Sequence, residues 1–171
     1  MLRLVELVEG HGGAEPRDEP SDGLTLPFDL RRKSRQRVQL DSGAEAALLL
    51  PRGTVLREGD RVRSAEGQVV IVHAAPETVS IVRADAARER ARVAYHLGNR
   101  HLPVEVTDEG LQYQHDHVID DMVRALGLQV EIAEAAFQPE GGAYGGGHGH
   151  GHDHDHDHDH DHDHLLMRPR Q

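Results

Sequence analysis

Cysteine and tryptophan are absent from the 171 residues. Without cysteine there are no disulfides, no thiolate metal ligands and no thiol nucleophile. Aromatics are scarce, with three Tyr and two Phe, which leaves little for base stacking or an aromatic pocket. No apolar run approaches the roughly 18 residues of a transmembrane helix. The opening MLRLVELVEGHGG has a short apolar stretch, two glutamates and no small-residue cleavage site, which argues against a secretory signal. A soluble cytoplasmic protein is therefore expected. Positive charge is also in short supply, with 19 Lys and Arg against 30 Asp and Glu. The formal net charge of −11 argues against wholesale nucleic-acid binding.

Histidine is abundant. The chain holds 15, and nine of them fall in HGHGHDHDHDHDHDHDH, from His148 to His164. The core must rest on Leu, Val, Ile and Ala.

The patterning predicts an α+β protein in three parts. In residues 1–74, short apolar runs such as LTLPFDL, RQRVQL, AALLLPRGTVL and DRVRSAEGQVVIVH alternate with turn residues, as in a small all-β domain. SAEG reads as a hairpin turn. LRRKSRQR (Leu30 to Arg37) is a basic patch, read as a solvated strand face. Residues 75–140 predict the order β-α-β-β-α-β, the ferredoxin-like pattern. ETVSIVRA is the first strand, and Asp85 is placed to cap the helix AARERARVAYHLG. Its Ala87, Ala91, Ala94 and Gly98 share a face beside Val93 and Leu97, and Gly98 is the expected C-cap. LPVEV and LQYQ flank the turn TDEG. A second helix from about Asp116 carries Ile119, Met122, Val123 and Leu126 on one face and stops at Gly127, before the strand LQVEIAEA. Residues 141–171 are Gly- and His-rich without apolar periodicity, and disorder is expected there.

The His/Asp run points to metal. Neutral imidazole is the commonest metal ligand and suits nickel, copper and zinc. In an extended chain alternate residues face one way, so the rings form a row. Each Asp can accept a ring N–H, which orients a ligand and raises its basicity. His148, His150, His152, His154, His156, His158, His160, His162 and His164 could together hold roughly two ions of four to six donors each. With nine His and six Asp, the run is near −6 well above a histidine pKa of about 6.5 and near +3 well below it, since 9 − 6 = 3. Metal binding must weaken on acidification. A purification tag is disfavoured, because the run alternates with Asp and continues into LLMRPRQ.

Such repetition offers capacity more than selectivity. A second group, His96, His101, His115 and His117, lies in the region expected to fold. If TDEG makes the turn, facing residues have numbers summing to about 216, which sets His101 opposite His115 within a one-residue register error. His117 starts the second helix, whose N-terminus favours a neutral, ligand-competent ring. His96 sits in the last turn of the first helix.

The blocks YHLGNRHLPVEV (Tyr95 to Val106) and YQHDHVIDDMVRALGL (Tyr113 to Leu128) resemble the metal-binding domain of the urease accessory protein E family, the nickel metallochaperones of urease assembly. RQRVQL and LLLPRGTVLREGD (Leu48 to Asp60) are similar to its N-terminal domain, and a His-rich C-terminal tail occurs in many members. The resemblance implies a β-rich domain for protein contacts, a ferredoxin-like metal-binding domain and a homodimer. It implies that His101, from the GNRH block, binds Ni²⁺ at the interface with its copy from the other subunit. His115, His117 and His96 match further metal-binding positions. A two-fold axis makes such sharing natural, and His101 then faces its symmetry mate in place of His115. The implied partners are the accessory GTPase and, through it, the apo-urease assembly complex. LRRKSRQR is a further candidate contact.

Two other functions compete. A general divalent-metal buffer would use the tail alone, taking Zn²⁺ or Cu²⁺ as well as Ni²⁺, because imidazole does not discriminate among them. A zinc hydrolase needs three fixed ligands, an open position and a base, and no HExxH or comparable motif is present. The expectation is a binding protein and not an enzyme.

Overall fold

Aliphatic and β-branched runs punctuated by Gly and Asp become strands throughout the first half of the chain. The computed structural model describes residues 1–8 and 19–141. The first half comprises β1 (Leu2–Val8), β2 (Asp22–Leu26), a short helix α1 (Phe28–Arg31), β3 (Arg35–Gln39), β4 (Glu45–Leu49), β5 (Arg61–Ser64) and β6 (Val69–Ala74). The six strands form one mixed sheet in the order β2-β6-β5-β1-β4-β3. The pairs β1/β4 and β2/β6 are parallel and the other pairs antiparallel.

The two edge strands are drawn together, which gives the sheet its barrel-like form. The segment after β3 folds back on β2, where Asp41 N donates to Gly23 O at 2.9 Å. Asp41 Oδ1 accepts from Thr25 N at 3.0 Å, and Asp22 Oδ2 accepts from Ser42 Oγ at 2.5 Å. That Ser42 contact leads the effects holding the Asp22 carboxyl below its ordinary range. A Cβ on Gly23 would lie 2.2 Å from Asp41 Oδ2, so a side chain there would displace the carboxylate that bonds Thr25. Inside, Leu4, Leu24, Leu48, Leu50, Val62 and Val70 are fully buried. The expected SAEG turn joins β5 to β6, and Ser64 Oγ accepts from Glu66 N and Gln68 N within it.

The second half runs β7 (Pro76–Arg83), α2 (Ala87–Gly98), β8 (Glu105–Thr107), β9 (Gly110–Gln114), α3 (His117–Ala125) and β10 (Val130–Ala136). The order of elements is the one the sequence predicts. The sheet order is β10-β7-β9-β8, and every pair is antiparallel. Even-numbered residues of β7 and odd-numbered residues of β9 meet the helices. Val82, Leu111 and Tyr113 pack there against Val93 and Leu97 of α2 and Ile119 and Val123 of α3. Among the described residues no helix is long and apolar enough to cross a membrane.

Three local expectations are corrected. Asp85 does not cap α2; Ala86 is the N-cap and makes no side-chain bond. The face of α2 that enters the core is Val93 and Leu97 with Ala94 half-buried, while Ala87, Ala91 and Gly98 are exposed. LPVEV is not a full strand, because β8 begins only at Glu105. Pro103 has no N–H for a ladder, and Leu102 and Val104 instead pack against the helix core. The TDEG turn is tight because Gly110 presses on β7, where a Cβ would meet Val82 O at 2.0 Å.

The two halves are joined by Arg31. This residue lies inside the basic patch expected to be a solvated face, yet it is 0% exposed. Nε donates to Leu26 O at 3.1 Å, Nη1 to Leu56 O at 3.1 Å and to Gln138 Oε1 at 2.8 Å, and Nη2 to Phe137 O. Burial pulls its pKa down, while Glu77, Glu58 and Glu105 oppose that shift. Beside it Phe28 and Phe137 meet edge to face at 5.4 Å, and Phe28 N donates to Glu77 Oε1 at 2.7 Å. Both sheets and all three apolar clusters lie within residues 1–141, so this segment carries its own core.

Replacing Arg31 with Met fills the space but leaves carbonyls of both halves without donors. Stability is expected to fall by about 3–5 kcal/mol, read as a lower urea midpoint. A loss under about 1 kcal/mol would show that the guanidinium is not the joint.

Candidate metal centre

The four histidines expected to bind metal all sit at the ends of secondary-structure elements. His96 is in the last turn of α2 and half-buried, with its ring edge to face with Tyr95 at 5.4 Å. His115 follows β9 directly. His117 opens α3 and is exposed, and Asp116 caps that helix by accepting from Val118 N at 2.8 Å and Ile119 N at 3.3 Å.

His101 has an unusual backbone. Its φ is +57°, and among the described residues it is the only non-glycine with positive φ. It is exposed and closes the turn after α2, donating its N–H to Gly98 O at 2.9 Å. The chain therefore reverses at His101 and not at Gly98, which remains helical. A left-handed residue after a helix is usually Gly or Asn. Histidine there costs about 1–2 kcal/mol of backbone energy. Side chains held in such positions cluster where function needs them.

The hairpin does not bring His101 against His115. The register is Glu105↔Gln112, Val106↔Leu111 and Thr107↔Gly110, one residue from the sum expected. The ladder stops at Glu105, four residues short of His101. Among the described residues no group of three or more His, Asp or Glu is placed to hold a metal ion. The nine tail histidines, His148 to His164, lie outside the described residues.

His115 is brought instead onto a buried acid. Asp120, on the inner face of α3, has a side chain 1% exposed, while that of His115 is 32% exposed. Asp120 Oδ1 accepts from Ser80 Oγ of β7 at 2.7 Å and from Tyr113 OH of β9 at 2.8 Å. Burial, followed by the bond to Asp120, pushes the Tyr113 phenol well above its ordinary pKa, so it remains a donor. His115 Nδ1 lies 3.1 Å from Ser80 Oγ and 3.2 Å from Asp120 Oδ2. Arg124 Nη2 is 3.6 Å from the same Oδ2, one helical turn along α3. Neither His115 nor Arg124 makes an aligned hydrogen bond to Oδ2.

Ser80 and Asp120 were not singled out from sequence. Asp120 carried a faint trace, since it stands between Ile119 and Val123 on the apolar face, where a solvated carboxylate does not belong. Nothing marked Ser80 apart from any other polar strand residue.

Comparison with known proteins gives the family. The model of the UreE urease accessory protein N-terminal domain matches residues 5–75, and that of the C-terminal domain matches residues 77–164. The chain belongs to the UreE urease accessory protein family. It is 52% identical over 147 residues to the urease accessory protein UreE of Alkalilimnicola ehrlichii, covering 85% of this chain and 86% of that one. The UreE of Proteus mirabilis is 52% identical over 148 residues, covering 85% and 92%. The UreE of Burkholderia vietnamiensis is 56% identical over 125 residues, which span 73% of this chain but 62% of that longer protein. A UreE-family chain is an accessory protein and not itself an enzyme.

The strain at His101 is measurable. His101→Gly is expected to match or exceed the unsubstituted stability by up to about 1 kcal/mol, and His101→Val to lose about 1 kcal/mol or more, because β-branching is disfavoured at positive φ. Equal urea midpoints for the two variants would show that the left-handed turn is absent in solution.

Proposed function

We propose that this chain is a nickel-binding metallochaperone that carries Ni²⁺ to the urease active site during assembly. Ni²⁺ is its cargo, bound and released without turnover. Zn²⁺ and Cu²⁺ compete for the same imidazoles, since ligand type does not separate them. The observation that carries the reading is His101, an exposed imidazole kept on a backbone where glycine would be more stable, in a UreE-family chain.

In this reading two copies meet through the ferredoxin-like domain and share one ion through His101 and the partner subunit's His101. The lack of any three-donor group among the described residues supports a sphere completed from elsewhere. His115, His117 and His96 are further stations for the ion. The proposed division is residues 1–74 for protein contacts, 75–140 for metal, and 141–171 as a reserve of ligands. The strand order β10-β7-β9-β8 with two helices supports the ferredoxin-like assignment. The proposed partners are the accessory GTPase and the apo-urease assembly complex, and the proposed location is the cytoplasm.

Glu140 N donates to Val104 O at 2.8 Å, and Val104 is three residues beyond His101. His148 follows Glu140 by eight residues, a reach of at most about 28 Å when extended. Such a tether raises the local supply of ligands, and of ions they carry, at the fixed histidines. That supply fails on acidification, as imidazolium cannot coordinate.

A chain ending at residue 143 separates carrier from reserve. It is expected to keep one class of tight Ni²⁺ site in a calorimetric titration, and His101→Ala is expected to abolish it. If the shortened chain binds no Ni²⁺ tightly, or if His101→Ala leaves that site unchanged, the chaperone site is wrong and the tail alone is the binder.

A further inference from the structure

Asp120 is the single fully buried acid among the described residues, and the proposed ligand set does not use it. Its Oδ2 is also the only buried side-chain oxygen or nitrogen there without an aligned hydrogen bond. A staple for the fold would not need that atom. Oδ1 alone ties β7 to β9 and α3, accepting from Ser80 and Tyr113.

The protons around it can be counted. A serine hydroxyl has one proton to give. Ser80 gives it to Asp120 Oδ1, so towards His115 Nδ1, 3.1 Å away, Ser80 Oγ can only accept. Asp120 Oδ2, 3.2 Å from the same nitrogen, is an acceptor too. Arg124 Nη2 lies 3.6 Å from Oδ2. Both neighbours of Nδ1 therefore call for a proton on it. In the neutral ring that places the lone pair on Nε2, the nitrogen on the far edge from the carboxylate.

We propose that Asp120 is a positioning residue that, with Ser80, holds His115 as the Nδ1–H tautomer and so offers Nε2 to a divalent metal ion. This rests on the reading of His115 as a ligand. A carboxylate behind a ligating imidazole fixes its tautomer and ring orientation and raises its basicity. Here the carboxylate is buried and locked by two further donors, so the ring is seated before any ion arrives.

Asp120→Asn is nearly isosteric and separates positioning from stapling. The Asn carbonyl can take the Oδ1 place and keep the bond from Tyr113. Its NH2 then stands where Oδ2 stood and points a donor at Nδ1, which becomes an acceptor as the single Ser80 proton turns from the carbonyl to the ring. Long-range ¹H–¹⁵N correlation spectra of the metal-free full chain at pH 8, with the His115 resonances identified by their loss in His115→Gln, read the tautomer directly. The expected result is Nδ1–H in the unsubstituted chain and Nε2–H in Asp120→Asn, with amide dispersion retained. In a Ni²⁺ buffer that fixes the free ion concentration, half-broadening of His115 is expected to need about 10–100-fold more free Ni²⁺ in Asp120→Asn.

Nε2–H in the unsubstituted chain overturns the proposal whatever the variant does. So does a variant that folds and keeps Nδ1–H, or one that binds Ni²⁺ at His115 undiminished. The expected tautomers together with a His115 that never broadens would instead remove the ligand reading beneath the proposal, and with it the metal role given to Asp120.

Discussion

The second half of the fold depends on one buried carboxylate. Asp120 sits where β7, β9 and α3 meet, and it accepts hydrogen bonds from a serine of the first and a tyrosine of the second. A buried carboxyl needs partners, and here two hydroxyls satisfy one oxygen while His115 and Arg124 lie near the other. The same contacts fix the start of α3 against the sheet, with Asp116 capping the helix one turn before Asp120. His115 and His117 take their places from that corner. Their positions follow from how the domain packs, and loop chance has little part in them.

His101 is held by a different device. It terminates α2 in a left-handed turn and needs no partner side chain to do so. The two devices leave the histidines on separate element ends, which is why one copy of the described residues closes no three-donor site. For the carrier proposed above this would matter: an ion gripped by a complete sphere within one chain would be slow to leave, whereas one shared between copies could pass by exchange of one ligand at a time.

Arg31 sets the frame in which this happens. Its guanidinium gathers carbonyls from the barrel-like sheet and from the segment after β10, so the halves share one polar joint beside the Phe28–Phe137 contact. The chain then runs on through Glu140, pinned to Val104, towards the His/Asp run.

Much of this was legible in the sequence. The βαββαβ order followed from periodicity in Val79–Val82, Val93–Leu97 and Ile119–Val123, and the start of α3 near Asp116 and its stop at Gly127 fell where expected. The SAEG hairpin was equally plain. What escaped were features set by tertiary context. Arg31 looked like one of several surface cations, since only the fold reveals which carbonyls lack donors. Asp120 and Asp121 are adjacent and chemically alike, and helix phase alone decides which is buried. The hairpin ladder ended early at Pro103, so pairing His101 with His115 extended a strand that the backbone could not continue. The left-handed turn at His101 had no sequence mark, because Gly98 offered itself as the natural stop.

In the proposed function the tight ion is held between two copies. Ni²⁺ is titrated into the chain ending at residue 143 while particle mass is followed by light scattering. Half a tightly bound ion per chain is expected, on a particle of twice the chain mass. One tight ion per chain on a particle of single-chain mass would contradict it.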